Sequence, residues 1–325
     1  MTDGLVDIHA HFFPPTTAEQ REGLWKTMRE QGCFLSPSPF HWTVEGTLDI
    51  MDRTGVSMQL LSNIPRSREA IRSFNDYGAS LVAQYPARFG LLAALPTDDP
   101  DACLAEIDRA YGELGADGFA VSGEYNGVWL GDGRLAPVWS ELDRRGATVF
   151  VHPNPFAPPT LGRPSALIDV AFETARAVTD LLYAGVLRKH TNVRFILAHC
   201  GGALPALAGR LLTLGSEEWV PNPNHLRSDE MRLQLAGLYV DTAASGMPNS
   251  LAAALEMTTP DHLVYGSDWG APCTSETTMS ATRQHLAQSP LLTEQHREKI
   301  WRNALELLPS AARRIDTASQ GTLTL

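Results

Sequence analysis

The chain has 325 residues, of which 43% are hydrophobic and 19% are charged, and this composition is that of a globular protein with ample material for a core. Its net charge of −11 at pH 7 argues against nucleic acid or an anionic membrane as a partner. A length of this order suits two average domains, but an α/β barrel commonly fills it as one unit.

The first predicted strand, residues 5–9, leads into two histidines. Side chains two positions apart on a strand point to the same face, so His9 and His11 can reach one point together. A pair of histidines alone is weak evidence, because such pairs also occur as ordinary polar surface. The later strand ends decide whether this pair has a function.

The stretch 12–47 shows little periodicity and carries several prolines, glycines and aromatic residues. A long irregular loop in a compact domain is usually functional, so we interpret this stretch as a cap insertion over a pocket. Within it, His41 and Trp42 are candidate substrate contacts. The simpler alternatives are an exposed loop histidine and a tryptophan that packs the cap.

A rhythm of strands and helices follows the cap and continues through the rest of the chain. Apolar runs that alternate with helices indicate parallel strands covered by helices. Eight such strands close a barrel, so we expect residues 1–325 to form a single α/β domain, a (β/α)8 TIM barrel. The predicted strands are 5–9, 57–62, 89–95, 117–122, 148–152, 194–199, 238–242 and 262–267, and the predicted helices are 68–84, 101–114, 135–145, 167–187, 204–214 and 248–257.

Three later strands also end in a histidine or an aspartate. By this count His152 ends strand five, His199 ends strand six and Asp268 ends strand eight. Functional residues of such barrels lie at the C-terminal ends of the strands. One histidine there could be an ordinary polar residue of the barrel mouth. Four histidines with one aspartate favour a site for a divalent ion such as Zn²⁺, with room for a water or a substrate oxygen.

The four cysteines are far apart and match neither a zinc-finger nor a disulfide spacing. They are typical of reduced thiols, so we expect a cytoplasmic protein. The N-terminus shows no signal-peptide pattern, and no apolar run approaches the roughly 20 residues of a membrane helix. Cys200 follows His199 directly and is either a nucleophile or, more simply, a small buried residue.

Several motifs together resemble one enzyme family. They are Asp7-Ile8-His9-Ala10-His11, Met51-Asp52-Arg53-Thr54-Gly55-Val56, Leu130-Gly131-Asp132, Phe150-Val151-His152-Pro153, Glu173-Thr174, His199-Cys200-Gly201-Gly202-Ala203-Leu204-Pro205 and Tyr265-Gly266-Ser267-Asp268-Trp269. The chain resembles the amidohydrolase superfamily, and within it the decarboxylase branch of aminocarboxymuconate semialdehyde and hydroxybenzoate-type enzymes, including those acting on 6-methylsalicylate.

The resemblance implies a ligand set and a cofactor. His9, His11, His152 and Asp268 would hold the metal, and His199 would stand beside it as acid, base or hydrogen-bond donor. Other members carry a lysine at the end of strand four that bridges two metals, and this chain has none there. We therefore expect one ion, Zn²⁺ first, with Mn²⁺ tolerated by a mixed nitrogen and oxygen site.

Three residues outside the metal site are further candidates, two of them, Glu173 and Arg210, because of the resemblance and Arg163 because of its position. Glu173 would orient a ligand imidazole, or is a capping or surface acid. Arg210 would bind the substrate carboxylate across a homodimer interface, or is an ordinary surface or interface arginine. Arg163, in the loop after strand five, is a weaker candidate anchor for an acid group.

Two departures from the family pattern concern the substrate. The muconate enzyme has a second carboxylate-binding arginine in its cap, but this chain has no arginine between Arg29 and Arg53. A substrate with two carboxylates is therefore in doubt. After Asp268 the chain continues with Trp269 where relatives tend to have proline, so the pocket floor is reshaped there, and Trp269 is a further candidate substrate contact.

These observations favour non-oxidative decarboxylation of a small aromatic or unsaturated carboxylic acid, with Asp268 and His199 as the catalytic residues. A second hypothesis uses the metal-bound water to hydrolyse or hydrate a lactone, an amide or an unsaturated acid. A third is a non-catalytic binding protein that kept the fold. The intact set of predicted ligands speaks against the third.

Overall fold

The computed structural model describes residues 4–32, 36–156 and 159–322. Its central element is one sheet of eight parallel strands, β1–β8, which pair in chain order. An antiparallel hairpin, Glu124–Tyr125 with Val128–Trp129, follows the fourth strand. The strands are β1 Leu5–His11, β2 Val56–Ser62, β3 Phe89–Ala94, β4 Gly118–Ser122, β5 Thr148–His152, β6 Arg194–Leu197, β7 Tyr239–Asp241 and β8 Leu263–Val264.

The barrel closes between β1 and the segment that follows β8. The Asp268 amide donates to the His9 carbonyl at 2.8 Å, and the His11 amide donates to the Trp269 carbonyl at 2.6 Å. The last strand is shorter than predicted because its regular ladder with β7 ends at Val264, after which the chain bonds to β1. The predicted (β/α)8 TIM barrel is confirmed.

Helices lie between the strands and after the last one. Among the described residues no helix is both long and apolar enough to cross a membrane. The helices are α1 Ala18–Glu30, α2 Val44–Thr54, α3 Arg68–Gln84, α4 Pro100–Arg109, α5 Ala136–Arg145, α6 Asp169–Tyr183, α7 Val186–Lys189, α8 Leu204–Leu214, α9 Ser228–Ala236, α10 Pro248–Met257, α11 Glu276–Gln288, α12 Glu294–Ile300, α13 Asn303–Leu307 and α14 Pro309–Thr322.

Helix α1 lies inside stretch 12–47, where the sequence pattern indicates no regular element. The helix begins with a capping box: the Thr17 hydroxyl accepts from the Gln20 amide, and the Gln20 side chain accepts from the Thr17 amide. A threonine followed three residues later by glutamine is a known helix start, so the sequence does carry a signal for α1. Helix α2 begins at Val44, so the predicted end of the cap at residue 47 falls inside a helix.

Apolar side chains from every strand meet in one buried cluster, and a cluster shared by all the strands must fill the barrel interior. Side chains of α13 and α14 join it, including Leu307 and Ala311. A second and larger cluster lies between the strands and the surrounding helices. At the C-terminal ends of the strands, buried polar residues form the site described next.

Candidate metal centre and its cavity

Four side chains converge at the C-terminal rim of the barrel. They are His9 and His11 of β1, His152 of β5 and Asp268 after β8, and each offers one ligand atom within 4.8 Å of the others. Asp268 Oδ1 is 3.2 Å from His9 Nε2 and 3.1 Å from His11 Nε2. His9, His152 and Asp268 are buried, and His11 is slightly exposed. We call these four residues the cluster.

The ring of each cluster histidine is oriented by a hydrogen bond at Nδ1, the ring nitrogen that points away from the centre of the cluster. His9 Nδ1 is 2.6 Å from Asp241 Oδ2, and His11 Nδ1 is 3.0 Å from the Ser62 carbonyl. His152 Nδ1 is 2.7 Å from the Pro153 carbonyl. Because all three partners are acceptors, each Nδ1 carries a hydrogen, and the Nε2 lone pair of each neutral ring is left for the centre.

The Nε2 atoms of His9 and His11 are so close together that a proton or a metal cation must lie between them. His9 Nε2 and His11 Nε2 are 3.2 Å apart, so neutral rings would direct two lone pairs at one another. A shared proton or a metal cation removes this repulsion. Because neutral imidazoles and a carboxylate oxygen are the ligands that divalent ions such as Zn²⁺ take, the donor set fits one metal ion.

The pKa values of the cluster residues are shifted in different directions by burial and by the neighbouring charges. Burial acts to lower the pKa of His9, but the carboxylates of Asp241 and Asp268 outweigh it and raise this pKa to about 10. Burial and the neighbouring imidazoles hold the pKa of His152 well below its usual value. Burial acts to raise the pKa of Asp268, yet the imidazoles hold it well below its usual value. An ionised carboxylate and a neutral imidazole are the states that metal binding requires.

Backbone strain concentrates at the same rim. Asp268, His199 and Cys200 have φ angles of 60°, 55° and 58°, a region that is uncommon for residues with a side chain. Such conformations cost on the order of 1–3 kcal/mol each and are characteristic of active sites. Gly266 is required by close packing, because a Cβ there would lie 2.9 Å from His9 Cβ.

His199 lies beside the cluster, as the family resemblance implies. Its Nε2 is 3.7 Å from Asp268 Oδ2, and its side chain lines the adjoining cavity. His199 Nδ1 is buried and has no hydrogen-bond partner among the described residues. The neighbouring Cys200 thiol is buried, and burial raises its pKa to about 12, so this residue fits the simpler structural alternative to a nucleophile.

The sequence analysis missed Asp241, at the end of β7. This carboxylate is fully buried. Its Oδ2 faces His9 Nδ1, and its Oδ1 accepts from the Ala243 amide at 3.0 Å. Its position fixes the tautomer and orientation of the His9 ring. The signal was present, because the predicted strand 238–242 contains an aspartate at the rim, where the other site residues were sought.

Asp7 ties β1 to the segment that carries Asp268. Its carboxylate accepts from the Ser267 amide at 2.9 Å, from the Ser267 hydroxyl at 2.5 Å and from Gln59 Nε2 at 3.0 Å. Burial raises the pKa of Asp7 to about 6 in spite of these hydrogen bonds. The contact places Asp268, the next residue after Ser267, against the histidines of β1.

Glu173 does not orient a ligand imidazole, contrary to the expectation from the sequence. Its Oε1 accepts from the Asn154 amide at 2.7 Å and from the Glu124 amide at 3.3 Å. The three cluster imidazoles already have other partners at Nδ1, which leaves no place for Glu173. Burial raises the pKa of Glu173 to about 7, against the opposing effect of the Asn154 amide. The residue instead fixes the loop after β5.

A cavity of about 230 Å³ opens beside the cluster. Its size is below the roughly 300–1,000 Å³ of pockets for drug-sized ligands and suits a small molecule. His11, His152, Asp268 and His199 form one part of the wall, and Phe13, Leu24 and Met28 of the predicted cap contribute an apolar part. Other wall residues belong to loops at the rim and include Asn63, Arg66, Tyr125, Asn154, Phe156 and Thr274.

The structure does not bring the predicted aromatic and histidine contacts to this cavity. His41 is exposed, and Trp42 is buried against Phe12 in the cap. Trp269 turns away from the cavity and donates from Nε1 to Thr47 Oγ1 at 3.3 Å. The tryptophans pack the base of the cap because their large apolar surfaces are buried there. Tyr125 and Phe156, by contrast, do line the cavity.

The arginines are also placed differently from the prediction. Arg210 lies exposed on α8, and Arg163 lies exposed in the loop after β5, both outside the cavity of their own chain. The arginine in the wall is Arg66, which follows β2 and which the sequence analysis did not single out. Its only sequence signal is its position four residues after the end of a barrel strand.

Comparisons with known proteins agree with this geometry. The family model described as amidohydrolase matches residues 6–309. The chain is 31% identical over 330 residues to the 6-methylsalicylic acid decarboxylase of Penicillium expansum, which covers 96% of this chain and 98% of that protein. It is 26% identical over 299 residues to a gamma-resorcylate decarboxylase of Rhizobium, which covers 82% and 88%. A solved dihydroxybenzoic acid decarboxylase of Polaromonas, with bound manganese, superposes with a TM-score of 0.74 at 22% identity over 94% of this chain and 97% of that one.

Proposed function

The chain belongs to the amidohydrolase family, as its motifs predict, and we propose that it is a metal-dependent, non-oxidative decarboxylase of a small aromatic or unsaturated carboxylic acid such as a hydroxybenzoate. The observation that carries this function is the convergence of the four cluster side chains at one point, three of which, His11, His152 and Asp268, line the wall of a small cavity. Relatives that decarboxylate 6-methylsalicylic acid and gamma-resorcylate support the reaction class and the aromatic substrate.

One divalent ion would be held by His9, His11, His152 and Asp268. Zn²⁺ is the first expectation because three imidazoles and one carboxylate make a Zn²⁺ site, and Mn²⁺ is the alternative for a mixed nitrogen and oxygen set. When bound, the ion would hold the substrate carboxylate and stabilise the charge that develops during the reaction.

The residues of the chain then handle one proton. His199, whose Nε2 is 3.7 Å from Asp268 Oδ2, donates it to the ionised Asp268 carboxylate, and Asp268 passes it to the ring carbon that bears the substrate carboxylate. The bond between that carbon and the carboxylate breaks, its electron pair restores the conjugated ring, and carbon dioxide leaves. The apolar wall of Phe13, Leu24 and Met28 holds the ring and excludes water.

The direct test is the mass balance of the reaction. We expect the metal-loaded enzyme to release carbon dioxide from a hydroxybenzoate and to form a product lighter by that mass. Hydrolysis or hydration would instead add water to a lactone, an amide or an unsaturated acid. A protein that adds water, or that turns over at full speed after complete metal removal, would contradict the proposal.

The role of His199 is tested separately from metal binding. His199→Asn should keep the metal and lose turnover by about 10²- to 10⁴-fold, as expected for loss of a general acid–base group. Metal content is measured by elemental analysis and turnover by carbon dioxide release. The control is His190→Asn, because His190 lies at the end of α7 outside the cavity wall. An unchanged rate in the His199 variant would remove it from the mechanism.

We also propose that the enzyme is a cytoplasmic homodimer. Phe172 of α6 is exposed beside Leu207 of α8, and Arg210 lies one turn further along α8. This face therefore carries an apolar patch next to an exposed arginine that forms no ion pair within the described part of the chain. Arg210 would then bind a carboxylate in the site of the second subunit. The cytoplasmic location is supported by free thiols at Cys103 and Cys200; Cys33 lies outside the described residues.

Mixing two inactive variants tests the shared site. If Arg210 acts across the interface, a mixture of Arg210→Ala and His199→Asn dimers that exchange subunits contains one site with both residues intact, and activity returns. Light scattering establishes whether the chain is a dimer. A monomer in solution, or an active Arg210→Ala variant, would contradict this part of the proposal.

A further inference from the structure

Arg66 is a cation in the cavity wall that forms no ion pair with a carboxylate among the described residues. Its neighbour Arg68 shows the usual arrangement, because it pairs with Asp99 at 2.7 Å. Arg66 has only neutral partners: Nη2 is 3.5 Å from Asn154 Oδ1, and the guanidinium lies 5.3 Å from the Phe156 ring centre. The positive charge of Arg66 therefore has neutral contacts but no carboxylate beside it among the described residues.

The partners of Arg66 are themselves fixed by the loop after β5. The Asn154 amide donates to Glu173 Oε1 at 2.7 Å, and Asn154 Oδ1 also accepts from the Phe156 amide at 2.9 Å. An arginine stacked on an aromatic ring loses less freedom when it binds a ligand than one that moves freely in solvent. The wall thus holds the guanidinium in a defined place at the mouth of the cavity.

Glu124, the acid that lines the wall besides Asp268, forms no ion pair with Arg66. Glu124 has one carboxylate oxygen accepting from the Gly127 amide and the other accepting from Asn154 Nδ2 at 3.2 Å. Asn126 contacts Arg66 only through the Arg66 carbonyl, at 3.4 Å. The donors of the guanidinium that remain have no acceptor from the described chain, and the free cavity adjoins them.

We propose that Arg66 binds a second anionic group of the substrate, a carboxylate on the same ring as the one that is lost. The inference rests on the proposed function, in which the first carboxylate is held at the cluster. A planar guanidinium presents paired N–H donors that match a carboxylate. Arg66 would then supply the cation that the cap lacks between Arg29 and Arg53, and the preferred substrate class is an aromatic dicarboxylic acid.

Two probe acids that differ by one carboxylate test this inference. They are 4-hydroxybenzene-1,3-dicarboxylate and 2-hydroxybenzoate, and their dissociation constants for the metal-loaded enzyme are measured by calorimetry. We expect the diacid to bind more tightly, and Arg66→Gln to weaken the diacid by about tenfold or more while changing the monoacid by less than about twofold. Higher ionic strength should weaken the diacid selectively, because Arg66 is exposed to solvent.

The matched control is Arg68→Gln. Arg68 is two residues after Arg66 and lies outside the cavity wall, so this variant removes a nearby positive charge that does not face the cavity. Arg66→Lys keeps the charge without the paired donors and should recover only part of the preference. Equal losses for both acids in Arg66→Gln, an equal effect of Arg68→Gln, or no preference for the diacid in the wild type would overturn the inference.

The outcomes also separate this inference from the proposed function. If neither acid releases carbon dioxide but the diacid preference depends on Arg66, the decarboxylase proposal fails and the anion site stands. If the monoacid is decarboxylated and Arg66→Gln changes neither acid selectively, the decarboxylase stands and the anion site fails.

Discussion

At the scale of single residues, the hydrogen-bond partners of the cluster histidines determine how their rings are oriented toward the centre of the cluster. The Nδ1 atoms of His9, His11 and His152 all meet oxygen acceptors, yet only His9 meets a charged one, Asp241. A buried carboxylate raises the basicity of the ring it holds and fixes its tautomer. Of the three histidines, we therefore expect His9 to depend most strongly on its hydrogen-bond partner, Asp241, for any affinity toward a metal ion.

Asp241→Asn tests that support. The variant keeps the shape of the side chain but removes the charge, and we expect the affinity for the metal to fall about 10- to 100-fold. Competition with a chelator of known affinity measures the change. Asp229→Asn is the control, because Asp229 is an exposed acid paired with Arg227. An affinity equal to that of the wild type would show that the Asp241 charge has no such role.

Glu173 gives the stability of the protein a specific dependence on pH. Its pKa is raised from 4.5 to about 7, so the folded chain keeps this proton at pH values where the unfolded chain has lost it. The folded state therefore binds more protons, and the free energy of unfolding falls as pH rises from about 4.5 through about 7. Over this interval the loss is at most about 3.5 kcal/mol, at about 1.4 kcal/mol for each pKa unit.

Glu173→Gln should remove this loss, because an amide oxygen still accepts from Asn154 and cannot ionise. Denaturant unfolding at pH 5 and pH 8 should therefore show a smaller decline in the variant than in the wild type. Glu217→Gln, at an exposed position, is the control. A variant whose stability declines with pH as steeply as that of the wild type would disprove this assignment.

At the scale of elements, the site combines rigid strand ends with a cap. The strand ends were predictable, because parallel strands place their C-terminal ends at one rim and the apolar runs end in His152, His199 and Asp268. The cap residues that face the cavity were not predictable, because their orientation depends on packing between segments that are distant in the sequence. Helix α1 places Leu24 and Met28, one helical turn apart, in the wall.

Thr17→Ala tests the function of α1. Loss of the capping hydroxyl costs the helix about 1 kcal/mol, so α1 should fray and KM should rise several-fold with kcat and metal content nearly unchanged. Thr293→Ala removes an equivalent cap from α12, away from the cavity, and is the matched control. A rise in KM in the control as large as in Thr17→Ala would show that α1 does not shape the binding site.

At the scale of the whole molecule, the sequence predicted the barrel and the four side chains that converge at its rim, but not the residues that hold them in place. Eight apolar runs of strand length and the helices between them specify the barrel, because few other folds accommodate that alternation. The roles of Asp7 and Asp241 were not predicted because their partners lie on other elements, and a single sequence contains no pairing information even where, as for Asp241, the position at a strand end is visible. Boundaries shifted at β8 for the same reason.

Metal binding should stabilise the entire barrel. Because the cluster forms only in the folded chain, ligand at 100 times its dissociation constant adds about 2.7 kcal/mol to the free energy of unfolding. For a chain of this size that energy corresponds to a rise in Tm of roughly 5 °C. Scanning calorimetry before and after chelation measures it. His11→Ala should show no such rise, and an equal rise in that variant would place the stabilising ion elsewhere.

The closure between β1 and the residues after β8 has a consequence for synthesis. Synthesis reaches Asp268 more than two hundred residues after His9. No nascent fragment that stops short of the eighth strand can hold the ion with all four donors. Under the proposed function, the complete metal site would therefore form only late in synthesis, and a chain that ends before Asp268 would lack one of the four donors.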